Sequence, residues 1–110
     1  MPTTSYKVLA QNATSATTST DIYTVGAGKQ TVISTLVVCN RGATATTFRI
    51  SVRPDGATLA NTHYLAYDVA IAANDSTNLT LGITMDASDV LTVYAGNANL
   101  TFAAFGSEIS

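Results

Sequence analysis

Apolar residues recur at every second position along much of this chain, and turn-forming residues interrupt them about every eight to twelve positions. Thr46 to Arg53 is the clearest stretch: Phe48, Ile50 and Val52 point one way, and Thr47, Arg49, Ser51 and Arg53 the other. Leu79, Leu81, Ile83 and Met85 repeat the pattern, as do Leu65, Tyr67, Val69 and Ile71. Neither a heptad nor a sustained 3.6-residue period accompanies it, so helical architectures are excluded. The alternation predicts an all-β, single-domain antiparallel β-sandwich, jelly-roll or immunoglobulin-like, of about eight strands. The strands are expected at residues 5–10, 20–25, 30–39, 46–53, 63–70, 77–85, 89–95 and 99–106. Gly26-Ala27-Gly28-Lys29, Asn40-Arg41-Gly42, Pro54-Asp55-Gly56, Ala72-Ala73-Asn74-Asp75, Asp86-Ala87-Ser88-Asp89 and Gly96-Asn97 supply turn chemistry between them.

One segment departs from the rule. From Thr31 to Cys39, Val32, Leu36 and Val38 lie on one face of an extended strand, while Ile33, Val37 and Cys39 lie on the other. A strand with one solvated face should not be apolar on both. A β-bulge that switches faces, cover by a loop, or burial against another subunit would each account for it.

Composition narrows the partners. Only 11% of the residues are charged, against roughly a quarter in an ordinary soluble domain. Threonine fills much of the gap, at about one residue in six. A chain of 110 residues forms one domain, residues 1–110, with a polar low-complexity loop or arm at 11–19 (Gln-Asn-Ala-Thr-Ser-Ala-Thr-Thr-Ser). Its net charge of -2 and scattered cations give no basic stripe for nucleic acid. No long apolar run or basic amphipathic helix suggests a membrane partner. The N-terminus lacks the pattern of a secretory signal, so the chain is expected to be made in a cytoplasm. The sequons at Asn12, Asn74, Asn78 and Asn99 then follow from composition alone.

No catalytic constellation emerges. His63 and Asp68 fall on opposite faces of a strand, which suits a surface histidine better than an acid–base pair. Asp86 and Asp89 offer two carboxylates where a calcium loop needs five or more oxygens, so a capped turn is expected. The glycines of Gly26 to Thr31 have the wrong spacing for a phosphate loop and precede strand formers. Cys39, the only cysteine, sits in an apolar run and reads as a small buried hydrophobe. The tyrosines Tyr6, Tyr23, Tyr64, Tyr67 and Tyr94 read as core or interface residues, or as a glycan platform if several share a face. No enzyme activity, cofactor or metal is expected.

Several segments carry a resemblance. They are Asp21-Ile22-Tyr23-Thr24-Val25-Gly26-Ala27-Gly28-Lys29, Ile33 to Gly42, Thr47 to Arg53, His63-Tyr64-Leu65-Ala66-Tyr67-Asp68 and Phe105-Gly106-Ser107-Glu108-Ile109. In strand-and-turn style the chain resembles small all-β virion proteins of tailed bacteriophages. The resemblance implies a non-enzymatic structural component of the virion, assembled in the host bacterial cytoplasm. A capsid decoration (cement) protein in many symmetric copies is favoured over a neck or tail accessory or a host-glycan adhesion module. Expected partners are other virion proteins, copies of the chain itself and a host-surface glycan. Threonine-rich strands suit such a role, because they pack against a neighbour without stranding a buried charge. Candidate interface residues are Ile33, Val37 and Cys39 on the two-faced strand, the aromatics Tyr64 and Tyr94, and Ile109. The C-terminal tail and segment 11–19 are expected to act as reaching arms.

Overall fold

Residues 3–110 are described by the computed structural model. Nine strands and two single 3-10 turns make up the regular structure: β1 Thr4–Ala13, β2 Thr20–Thr24, β3 Gln30–Asn40, β4 Thr46–Arg53, β5 Tyr64–Ile71, β6 Ser76–Leu79, β7 Ile83–Met85, β8 Val90–Ala95 and β9 Leu100–Ile109. They form two antiparallel sheets. The first has the order β1-β9-β3-β6, with β7 also paired to β3, and the second β2-β8-β4-β5. With β6 and β7 taken as one interrupted strand, successive strands alternate between the sheets except for β4 and β5, which pair within the second, and this is the eight-strand connectivity of a jelly roll. The immunoglobulin-like alternative, which keeps strands A and B in one sheet, is thereby set aside. No helix among the described residues is long and apolar enough to cross a membrane.

The core lies between the sheets and follows from the alternation. Phe48 and Ile50 from β4, and Leu91, Val93 and Ala95 from β8, meet Ile33, Leu36 and Val38 from β3 and Leu100, Phe102 and Ala104 from β9. Each large side chain buried there contributes about 1.5–3 kcal/mol.

A β-bulge accounts for part of the two-faced strand, while Val32, Val37 and Cys39 remain on its outer face. The β3–β9 register shifts between Ile33 and Thr35, leaving Ser34 as the additional residue. Thr31 and Ile33 face inward before the bulge, and Leu36, Val38 and Asn40 after it. Ile33 is therefore a core residue, 1% exposed, rather than an interface residue. Ser34 Oγ donates to the Phe105 carbonyl (3.1 Å), and Gly106 faces the bulge. A Cβ at Gly106 would overlap the Val32 carbonyl oxygen, so no larger residue fits without backbone movement.

Three expected boundaries move. The stretch 77–85 is two strands, because Gly82 adopts a positive φ of 62° and ends the alternation. Segment 11–19 is only partly a loop: Gln11–Ala13 belong to β1, and Thr17 N–H donates to the Ala95 carbonyl (2.8 Å). The C-terminal tail is no free arm either. β9 continues to Ile109 between β1 and β3, and Thr3 and Ser110 exchange backbone hydrogen bonds of 2.8 and 3.0 Å.

Candidate functional site

The two outer faces differ sharply in chemistry. On the β1-β9-β3-β6 sheet, register places Thr4, Ile109 and Gln30 side by side on the outer surface. Tyr6, Ser107, Val32 and Thr84 form the next row, and Val8, Phe105 and Thr35 the one after. Gln11, Ala103, Val37 and Asn78 follow, then Ala13, Thr101, Cys39 and Ser76. None of these positions is Asp, Glu, Lys or Arg. Tyr6 is 86% exposed and Val8 50%, and they border a shallow depression with Val32 and Phe105. The face is broad, uncharged and apolar along its middle.

The charges of this sandwich lie elsewhere. Lys7, Lys29 and Glu108 meet at one end, where Glu108 Oε1 accepts from Lys7 Nζ (2.9 Å) and Lys29 Nζ (3.4 Å). Glu108 Oε2 accepts from the Tyr23 hydroxyl (2.8 Å), which also lies 2.7 Å from Thr31 Oγ1. The Lys7 hydrogen bond, followed by that of Tyr23, lowers the Glu108 carboxyl from 4.5 to about 2. Burial raises Tyr23 above its ordinary value, which keeps its hydroxyl a donor. Because Tyr23 belongs to β2 and Glu108 to β9, this network ties the two sheets together.

On the second sheet's outer face, β5 delivers an aromatic cluster through its irregularity. The β4–β5 register passes from Phe48↔Val69 to Ile50↔Ala66, so Tyr67 and Asp68 oppose Arg49 alone. Asp68 takes a φ of 50°, a left-handed geometry that Asp tolerates better than most residues. A second shift between Ile50 and Ser51 leaves Leu65 as an additional residue. The regular alternation expected for Leu65, Tyr67, Val69 and Ile71 is thus broken, with Ile71 buried and the other three exposed. Bulges of this kind are common at sheet edges and re-aim side chains.

Here the bulge aims them at Arg49. Arg49 Nε donates to Asp68 Oδ1 (2.7 Å) and Nη2 to Oδ2 (3.3 Å), a bidentate pairing that holds Arg49 more firmly protonated. The guanidinium carbon lies 4.2 Å from the Tyr67 ring centroid and 4.3 Å from that of Tyr94. Tyr64 meets Tyr67 with centroids 4.8 Å apart and planes at 85°. Nearby, Arg53 donates to Asp21 (2.7 Å) and to Thr92 Oγ1 (3.1 Å).

The candidate interface residues therefore do not share one surface. Val37, Cys39 and Ile109 are half-buried on the uncharged face, Tyr64 and Tyr94 are half-buried on the opposite face, and Ile33 is in the core. The sequence reading grouped Tyr6 and Tyr67 with the other tyrosines without assigning them a face, and it did not single out Val8, Val32 and Phe105 on the first face or Asn61, Arg49 and Asp68 on the second as interface or binding residues. Arg49 was already outward in the β4 alternation, but its partners lie on two other strands.

His63 and Asp89, titratable groups singled out in the sequence, serve turns. His63 Nδ1 accepts from the Ala60 N–H (3.0 Å), closing a 3-10 turn. Asp89 accepts from the N–H groups of Asp55 (2.9 Å) and Asp86 (2.9 Å), as a turn-capping carboxylate does. Among the described residues no three His, Cys, Asp or Glu side chains gather as metal ligands would. No protein-family model, curated protein or solved structure matches this chain.

Proposed function

We propose that this chain is a non-enzymatic structural component of a tailed-phage virion, a decoration protein that binds in many copies and stabilises the particle. The observation that carries the reading is the uncharged outer face of the β1-β9-β3-β6 sheet. A solitary protein keeps neighbours away with surface charge, and a broad face without any is suited to burial against another protein surface. Desolvating threonine, serine, alanine and valine there strands no ion, and the hydroxyls and amides on the face need only hydrogen-bond partners from the other surface. Its partners would be copies of itself and other virion proteins. The jelly roll is an architecture of viral capsid and lectin domains, an analogy of fold that carries no activity by itself.

A charge placed on this face tests the reading. Tyr6 and Val8 are exposed on an edge strand, so Tyr6→Glu combined with Val8→Glu should leave folding within about 0.5 kcal/mol of the parent. Antibody labelling in the electron microscope should mark regular positions on tailed-phage particles that carry the parent chain. Particles assembled with the double variant should lose that label. Unlabelled parent particles, or a double variant that binds as well as the parent, would sink the proposal.

A further inference from the structure

We propose that the corner formed by Tyr64, Tyr67 and Asn61 on the second sheet is a binding site for a neutral pyranose unit of a glycan. The two rings stand almost perpendicular, 85° apart, and with Asn61 they line a groove of about 380 Å³. That volume suits one or two sugar rings. Aromatic faces take the C–H surface of a pyranose, while the Asn61 amide and the tyrosine hydroxyls can donate to and accept from its hydroxyls.

The corner is organised before any ligand arrives. Arg49 stacks against Tyr67 and Tyr94, and Asp68 fixes the guanidinium through two hydrogen bonds. Tyr67 remains 55% exposed, so it presents surface while its rotamer is already held. The ordering cost of binding is correspondingly small.

The same contacts set the ligand's charge. Arg49 and Asp68 satisfy each other behind the corner, and no Lys, Arg, Asp or Glu lines the groove itself. A sialylated or phosphorylated sugar would find no free cation there, whereas a neutral sugar needs none. A protein partner fits less well. Standard interfaces take about 800 Å² from each side, and beyond the corner this face presents the Arg53–Asp21 ion pair. The assignment is independent of the assembly reading, which uses the opposite sheet.

The probe is a printed array of neutral hexose- and N-acetylhexosamine-containing oligosaccharides with their sialylated counterparts. The parent chain should bind neutral members, with no gain from sialylation. Tyr67→Ala should lose about tenfold or more in affinity, or about 1.4 kcal/mol, while Tyr67→Phe retains most of it. Tyr67→Phe should melt with the parent, and Tyr67→Ala, which gives up the ring contacts with Arg49 and Tyr64, should melt no more than a few degrees lower. Absence of binding to every member, preference for sialylated members, or binding unaffected by Tyr67→Ala would overturn the assignment. So would a parent oligomer that Tyr67→Ala converts to monomer, because the corner would then be a subunit contact.

Discussion

Asn40 closes β3 with a side chain that is 1% exposed and fully engaged. Its Nδ2 donates to the carbonyls of Thr44 (2.9 Å) and Ala72 (3.2 Å), and its Oδ1 accepts from the Gly42 N–H (2.9 Å). One amide thus shapes the β3–β4 turn and pins it to the loop after β5. Asn40→Ala would leave backbone groups of three residues without that partner, at a cost of about 2–3 kcal/mol. Urea unfolding should show the loss as a lower midpoint with an unchanged m-value, and a change below about 0.5 kcal/mol would contradict this account. The sequence marks Asn40-Arg41-Gly42 as a turn, and that reading holds. It does not reveal Ala72 as a partner, because the two positions are 32 residues apart. The same limit applies to Arg49, which is readable as outward but not as stacked between Tyr67 and Tyr94.

At the scale of elements, bulges are the features the alternation could not place. β1 shifts register against β9 between Val8 and Ala10, and β3 shifts against β9 between Ile33 and Thr35. The first falls between the partners of Phe105 and Ala104 and the second between those of Gly106 and Phe105, so β9 runs between two bulged neighbours that lie on either side of Phe105. Gly106 permits the close approach of β3 there. Gly106→Ala should destabilise the fold by about 3 kcal/mol through forced backbone movement, lowering the melting temperature by roughly 10 °C or more. A variant that melts with the parent would show that the strands can separate without cost. In β3 the sequence itself signalled an irregularity, since a half-solvated strand apolar on both faces needs an explanation. In β5 it gave none: Leu65, Tyr67, Val69 and Ile71 alternate regularly, and only pairing with β4 reveals the two extra positions. Gly82, in contrast, was visible as a residue but read as part of the 77–85 strand, because its positive φ depends on how the chain passes from β6 to β7.

Across the whole molecule, the scarce charge is distributed rather than merely reduced. The uncharged face, the paired arginines of the opposite face and the Glu108 network divide the sandwich into distinct surfaces. The network makes stability depend on pH in a definite direction. Glu108 titrates at about 2 in the folded chain against 4.5 ordinarily, so its contribution is complete above about pH 4.5. It is lost as pH falls through about 2. Glu108→Gln should therefore melt a few degrees below the parent at pH 7, and the gap should close toward pH 2. A gap that stays constant over this window would mean that the carboxylate's charge does not stabilise the fold. Solvent reaches this network, so the effect should be modest and should shrink in high salt.

Alternation and turn chemistry by themselves determined an all-β sandwich, the approximate strands and the inward face of β4 with Phe48 and Ile50, because side-chain period and turn propensity are local properties. Composition determined that charge would be scarce. Only the tertiary structure decided between jelly roll and immunoglobulin-like topology, moved Ile33 into the core, and gathered the uncharged positions on one sheet while assembling Tyr64, Tyr67 and Arg49 on the other. Strand order and bulge placement rest on pairings between residues far apart in the chain, and those pairings determine which side chains share a surface.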